Sequence, residues 1–147
     1  MKFWEIEPEV SGHLGSGSIL DSSSHPPIVS RLHFVFDGWM GDDLVTSFPC
    51  FLISARLAES LRKKNFTGYE IDEAEVSTSE EYVEMASIDP ALPDLPVFLW
   101  LRVTGLVGRD DFGLSRTHDL VVSDGVIDSM RPFIRCADVS PFEGDSK

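Results

Sequence analysis

The chain has 147 residues, 42% of them hydrophobic, which suffices for a single domain (1–147) with its own core and excludes a disordered composition. Its 25 acidic and 12 basic residues give a net charge of −13, which disfavours nucleic acid and anionic membranes as partners. It has no run of about 18 apolar residues and no secretory signal pattern, so we expect a cytoplasmic protein without a membrane span.

The first predicted elements are strands interrupted by a long polar segment. Alternating residues predict a strand at 2–7, and the Gly- and Ser-rich stretch 11–27 is typical of a surface loop. Residues 28–36 return to strand alternation. The inward row of that strand is Leu32, Phe34 and Phe36.

The clearest helix follows a short apolar strand at 47–53. Ser54 is a candidate N-cap for it, and Leu57 and Leu61 share one face. Gly68 supplies a stop signal after the basic last turn. We therefore predict a helix that begins after Ser54 and packs its leucines inward.

An acidic segment comes next. Residues 70–94 contain nine acids and no Lys or Arg, so this segment alone carries a charge of −9. Its first part, 69–76, alternates as a strand with an acidic outer row, and 77–87 predicts a short helix capped by Ser79 or Thr78, with Tyr82 and Met85 packing inward. A solvating surface and a docking face for a basic partner are both compatible with this charge.

The most hydrophobic strand, 97–104, is expected to be central, and a last apolar strand at 119–122 leads into an internal repeat. The repeat has a constant offset of 69 and relates Ser54, Leu57, Ser60, Leu61 and Arg62 to Ser123, Val126, Ser129, Met130 and Arg131. Chance similarity between two capped amphipathic helices is the alternative. The prediction is an α+β fold with a mixed, mostly antiparallel sheet, a few short helices and two pseudo-repeated strand–helix–strand lobes, at 28–90 and 95–142.

No motif argues for catalysis. The four histidines, His13, His25, His33 and His118, lack metal-ligand spacing, and both cysteines, Cys50 and Cys136, stand in apolar settings that predict buried thiols. We therefore expect no cofactor, no metal and no catalytic residue.

One enzymatic alternative remains open. The acidic doublets Asp42–Asp43 and Asp110–Asp111, with His33 or His118, could serve a small hydrolase or metal-dependent enzyme if they converged in one pocket. A solvated loop is the other interpretation of each doublet. A scaffold or oligomer subunit is a further alternative, and it predicts a large apolar patch.

The segments Leu52-Ile53-Ser54 and Val121-Val122-Ser123, each followed by an apolar helix and an acidic strand, resemble the immunity proteins of bacterial polymorphic toxin systems, in the families numbered 11 and 43. This resemblance implies a protein, not an enzyme, that neutralises a cognate toxin by binding it in the cytoplasm, as in contact-dependent inhibition. Such toxins are often basic nucleases, which suits an acidic inhibitor.

The expected partner-binding residues lie mainly in the acidic segment. The acids are Glu70, Asp72, Glu73, Glu75, Glu80, Glu81 and Glu84, with Asp110 and Asp111 as a secondary patch. Tyr69, Tyr82 and Trp39 are candidate aromatic anchors if they are exposed, and core packing is their alternative.

Overall fold

The structure is a computed structural model and describes residues 2–91 and 94–143. Over these residues the chain forms 14 strands in mostly antiparallel sheets and three short α-helices, so the predicted α+β class is confirmed. The strands are β1 (Phe3–Glu7), β2 (Glu9–Val10), β3 (Gly12–Leu14), β4 (Ile19–Asp21), β5 (Ile28–Arg31), β6 (His33–Phe36), β7 (Leu44–Ser47), β8 (Cys50–Ser54), β9 (Tyr69–Asp72), β10 (Glu75–Thr78), β11 (Phe98–Val103), β12 (Phe112–Leu114), β13 (Leu120–Ser123) and β14 (Asp138–Phe142). The helices are α1 (Ala55–Arg62), α2 (Glu80–Ile88) and α3 (Asp124–Met130), and a 3₁₀ turn (Arg131–Phe133) follows α3.

Two sheets carry the repeat. A five-stranded sheet has the order β2-β7-β8-β11-β9, and a four-stranded sheet has the order β12-β13-β1-β14. Their pairings correspond, because Phe98 of β11 lies opposite Ser54 and Phe3 of β1 lies opposite Ser123. The chain thus contains two equivalent units, β7-β8-α1-β9 and β12-β13-α3-β14.

The strand that precedes each unit is inserted into the sheet of the other unit. Strand β1, at the start of the chain, lies between β13 and β14, and β11, which leads into the second unit, lies between β8 and β9. The two lobes are therefore interlocked. The predicted lobes 28–90 and 95–142 therefore do not each form a sheet of their own. Strand β1 precedes both ranges but belongs to the sheet of the second lobe, and β11 lies within 95–142 but belongs to the sheet of the first.

The five-stranded sheet is buried on both faces, which explains why every residue of β8 is buried. On one face, Ile53 and Leu101 belong to a core shared with α1 and α3. On the other face, Leu52 and Trp100 pack with residues of the three-stranded sheet β10-β6-β3. A continuous apolar run is the expected sequence of a strand with two buried faces.

Helix α1 forms as predicted. The Ser54 hydroxyl accepts a hydrogen bond from the Leu57 N–H, and Leu57 and Leu61 are buried. Gly68 adopts a positive φ of 96°, which favours glycine over other residues. None of the helices in residues 2–91 and 94–143 combines the length and apolar character that crossing a membrane requires.

Two predictions about the first third of the chain were wrong. The stretch 11–27 contains β3 and β4 and so is not one long loop, because both strands pair with strands that come later in the chain, β6 and β5. The predicted strand at 28–36 is split into β5 and β6, which belong to different sheets.

The expectation of two buried thiols holds for Cys50 alone. Burial raises the pKa of Cys50 to about 12, whereas Cys136 is exposed on the loop before β14.

Candidate partner-binding surface

The acidic segment remains on the surface along β9, β10 and α2. Strand β9 is at the edge of the five-stranded sheet, and β10 at the edge of the three-stranded sheet. The seven acids predicted to contact a partner are all exposed: Glu70, Asp72, Glu73, Glu75, Glu80, Glu81 and Glu84. We call these seven residues the acidic surface.

Basic neighbours engage two of the seven acids. Arg102 Nη1 lies 3.0 Å from Asp72 Oδ2 and its guanidinium stacks over the ring of Trp100, while Arg31 lies 3.4 Å from Glu75 Oε1. The Glu73 backbone N–H and the Arg102 guanidinium both donate to Asp72, which lowers the pKa of that carboxyl. These two acids are partly neutralised within the protein itself.

The other five acids have no ion-pair partner among the described residues. They are Glu70, Glu73, Glu80, Glu81 and Glu84. Three of these carboxylates project from α2, two of them in its first turn. Unpaired carboxylates make the local electrostatic potential more negative, which favours a basic partner.

A groove of about 590 Å³ lies beside the acidic surface. Its charged lining is Asp72, Glu73, Glu75 and Arg31, and its apolar lining includes Val97 and Leu99. No local pattern predicts this groove, because the connector between β9 and β10 meets the start of β11 only in the folded chain. This groove can accept a long side chain that is apolar along its stem and basic at its tip.

Helix α2 adds exposed apolar groups that were not expected. It has no buried residue; Val83 is 57% exposed, Ile88 is 80% exposed, and Met85, predicted to pack inward, is 47% exposed. On a helical wheel Ile88 falls between Glu84 and Glu81, so its outer face mixes acid with apolar contact area. That projection was the signal in the sequence that could have revealed it.

The three candidate aromatic anchors pack against the protein itself. Tyr69 lies 4.7 Å from Phe112 between ring centroids, and Tyr82 is half-buried against the second core cluster. Trp39 is buried and donates its indole N–H to the Asp42 carbonyl at 2.7 Å. Val83 and Ile88 therefore offer more free apolar area than any of the three.

The first acidic doublet is not a solvated loop, because Asp42 and Asp43 are only 1% and 2% exposed. Asp42 accepts hydrogen bonds from the backbone N–H groups of Arg135, Cys136 and Ala137 at 2.7–3.1 Å. These three donors compensate for burial of the charge and fix the loop that precedes β14.

Asp43 and Asp111 have matching roles in the two units. The Ser54 hydroxyl donates to Asp43 Oδ2 at 2.5 Å, and the Ser123 hydroxyl donates to Asp111 Oδ1 at 2.8 Å. Arg56 also binds Asp43, whereas Asp111 accepts from the backbone N–H of Thr67. The doublets recur at an offset of 68, the same spacing as Glu70 and Asp138, and this was the available signal in the sequence.

Asp110 is engaged as well, since its Oδ2 accepts from the Leu106 N–H at 2.8 Å. Asp110 and Asp111 thus hold loops together within the protein. Both acids are half-buried, and the secondary patch stays a prediction.

The groups of the enzymatic alternative are used in packing. His33 bonds through both ring nitrogens, to the Gly17 N–H and to the Ser77 hydroxyl, and His118 lies in a ring cluster with Phe48 and His25. Neither doublet lines the 590 Å³ groove or the pocket of about 510 Å³ described below. Neither the groove nor this pocket therefore joins these carboxylates to a histidine.

No family model, curated protein or solved structure matches the chain. The acidic surface is accordingly interpreted from its own chemistry. It combines five carboxylates that have no ion-pair partner among the described residues, exposed apolar side chains on α2 and an adjoining groove.

Proposed function

We propose that the protein is an immunity protein that binds a basic toxin domain through the acidic surface and blocks its active face. The observation that carries this proposal is the set of three carboxylates on α2, Glu80, Glu81 and Glu84, which have no ion-pair partner among the described residues and stand on the same helix as exposed Val83 and Ile88. The proposed site of action is the cytoplasm, and the proposed partner is a nuclease-class domain.

Charge supports an inhibitor of this kind. With a net charge of −13, the whole chain attracts a basic domain, and the unpaired acids of α2 concentrate that field on one element. Complementary charge accelerates association and helps to exclude wrong partners. A nuclease surface that binds phosphate is basic, so acids placed over it would compete with the nucleic acid.

Apolar contact would supply the slow dissociation that an inhibitor needs. Val83 and Ile88 are exposed on the same helix as the acids of α2, and burial of both would stabilise a complex at about 25 cal/mol per Å² of apolar area. The sequence resemblance to immunity proteins of polymorphic toxin systems favours a toxin over other basic partners.

Reversal of two charges on α2 tests the surface. The probe is the C-terminal domain of a large secreted protein encoded directly upstream, with which we expect the chain to form a tight complex. The variant Glu81→Lys/Glu84→Lys should bind it about tenfold more weakly or worse, with a reduced salt dependence, in calorimetry at several salt concentrations. Asp72 and Glu75 are left intact because they pair with Arg102 and Arg31.

The matched control is Asp128→Lys/Glu143→Lys, which changes the net charge equally at exposed positions outside the segment. This control should weaken binding only slightly. Equal losses in the two variants would contradict the proposed surface. A gene neighbourhood without such a toxin domain, or failure of the chain to rescue growth when the two are co-expressed, would contradict the proposed function.

A further inference from the structure

A second concave site lies at the opposite edge of the five-stranded sheet from β9. This pocket has a volume of about 510 Å³, in the usual range for small-molecule sites. The end of β1, strand β2, the β7–β8 turn and the segments around residues 118–120 and 136–138 form its walls. We call it the β2 pocket.

Its walls are largely apolar. Phe51 and Leu120 are buried core residues that close the inner side. Val10 (74% exposed), Met40 (72%) and Phe48 (53%) form an open apolar rim. The Phe48 ring lies 6.3 Å from the His118 ring between centroids, so the rim also presents aromatic faces.

The charged groups of the β2 pocket have one sign. Four carboxylates line it, from Glu7, Glu9, Asp119 and Asp138, and none of the described lining residues is Lys or Arg. None of these four acids takes part in an ion pair within residues 2–91 and 94–143. The pocket therefore has an uncompensated negative potential at its surface.

Two of these acids face each other directly. Glu7 of β1 and Asp138 of β14 are paired residues in the antiparallel ladder, where their side chains share one face of the sheet. Like charges in directly opposite positions destabilise a strand pair. A cation held between these carboxylates would remove that repulsion.

A third carboxylate, that of Glu9, is buried in the wall at 8% exposure. It accepts from the backbone N–H groups of Met40 and Asp42, and Asp42 adds a second buried carboxylate behind it. Desolvation by burial raises the pKa of Glu9 despite these two donors. A positive group in the pocket would favour the ionised form of Glu9.

A metal ion suits the site less well than an organic cation. Oxygen and sulfur atoms of Glu9, Asp42 and Cys136 lie within 4.8 Å of one another. However, three backbone N–H groups already occupy the Asp42 carboxylate, and partial desolvation together with the nearby Asp42 and Glu9 carboxylates raises the pKa of the Cys136 thiol, which disfavours the thiolate that a metal needs. A metal would also leave the apolar walls without a function.

We infer that the β2 pocket binds a small organic cation with a flat apolar body, its positive end between Glu7 and Asp138 and its apolar part against the exposed rim of Val10, Met40 and Phe48. The chemical class is an aromatic amidine, guanidine or amine. This site is separate from the acidic surface, so the inference does not depend on the proposed function.

Three isosteric probes test the inference on the full chain: benzamidine, benzamide and benzoate. In heteronuclear NMR titrations, benzamidine should shift the amide signals of residues 6–10, 118–120 and 136–138, and should bind about tenfold or more tightly than benzamide, as a charge-assisted contact implies. Benzoate should not bind. Zinc chloride is titrated in a separate arm.

The variant Glu7→Gln/Asp138→Asn should weaken benzamidine binding about tenfold, because it removes both exposed carboxylates without a change in shape. Asp128→Asn/Glu143→Gln is the matched control and should bind as the wild type does. Equal binding of benzamidine and benzamide, shifts outside the pocket, or equal losses in the two variants would overturn the inference. Tight zinc binding that Cys136→Ser abolishes, without benzamidine binding, would overturn it as well.

Discussion

Ser54 and Ser123 occupy the same position in the two units, and each hydroxyl is used twice. It accepts from an N–H of the first helical turn and donates to a carboxylate, Asp43 or Asp111, that precedes the neighbouring strand. The same pairs are joined through the backbone, with the serine N–H donating to the aspartate carbonyl at 2.8 and 2.9 Å. Each cap therefore ties a helix to a strand.

Substitution of Ser54 by alanine should lower the free energy of unfolding more than the same substitution at an ordinary N-cap. Ser54→Ala removes the cap of α1 and also a donor to buried Asp43, so we expect a loss of about 2–3 kcal/mol in the free energy of unfolding. Ser79→Ala removes the cap of the exposed helix α2 and a hydrogen bond to Asp37, whose carboxylate is exposed to water, so it should cost about 1 kcal/mol or less. Urea denaturation measures both.

Ser123→Ala provides the second comparison, because Ser123 has the equivalent contacts. It should resemble Ser54→Ala more than Ser79→Ala. A loss at Ser79 as large as the loss at Ser54 would contradict the role assigned to the aspartates.

At this scale the sequence predicts the serines but not their acids. Ser54, Ser79 and Ser123 could be identified as caps because each precedes a helical apolar pattern. Asp42 and Asp43 stand beside glycine and resemble a solvated turn. Their burial depends on donors from residues about 90 positions away and from Ser54 and Arg56, which local patterns do not reveal.

Helices α1, α2 and α3 are similar in length and all begin after a serine, yet they serve different purposes. Helices α1 and α3 bury three residues each and pack against one another in the main core. Helix α2 buries none, although its half-buried Tyr82 contacts the second core cluster. Stability thus rests on α1 and α3, and α2 is free to present a surface.

Truncation of one side chain in each kind of helix separates these purposes. Leu57→Ala in α1 should lower the free energy of unfolding by about 2–5 kcal/mol, since it leaves a cavity in the core. Val83→Ala in α2 should change it by no more than about 0.5 kcal/mol. Denaturant titration gives both values, and a large loss at Val83 would mean that α2 is packed against the protein.

The local sequence pattern predicted those strands that bury one face, through alternation, or both faces, through a continuous apolar run. The row Phe34 and Phe36 and the apolar run of β11 were predictable from alternation and hydrophobicity. Strands β3 and β4 were not, because each is only three residues long and forms by pairing with β6 or β5. Sheet order is set by long-range pairing, so the exchange of β1 and β11 had no local signal.

For the whole molecule, the two units share one hydrophobic core. Ile6 of β1 and Leu101 of β11 hold equivalent positions, opposite Val139 and Ile71, and both belong to the cluster that includes α1 and α3. The units cannot separate without exposing this cluster to water. The chain should therefore unfold as one body.

Ile6→Ala and Leu101→Ala test this cooperativity. Each should lower the free energy of unfolding by about 2–5 kcal/mol and shift a single transition. Far-ultraviolet and near-ultraviolet circular dichroism should give coincident denaturation curves for both variants. Separate transitions, with each variant affecting only one of them, would show that the units fold independently.

The exchange of β1 and β11 also determines what half of this chain could do. In a polypeptide with one unit and its preceding strand, that strand would have no place in its own sheet. The sheet would also have a gap between its second and last strands, which a second copy of the polypeptide could fill. Two such polypeptides would complete each other as a twofold-symmetric dimer, each donating its first strand. The present chain joins both donors on one backbone, so the pairing needs no encounter between molecules and does not depend on protein concentration.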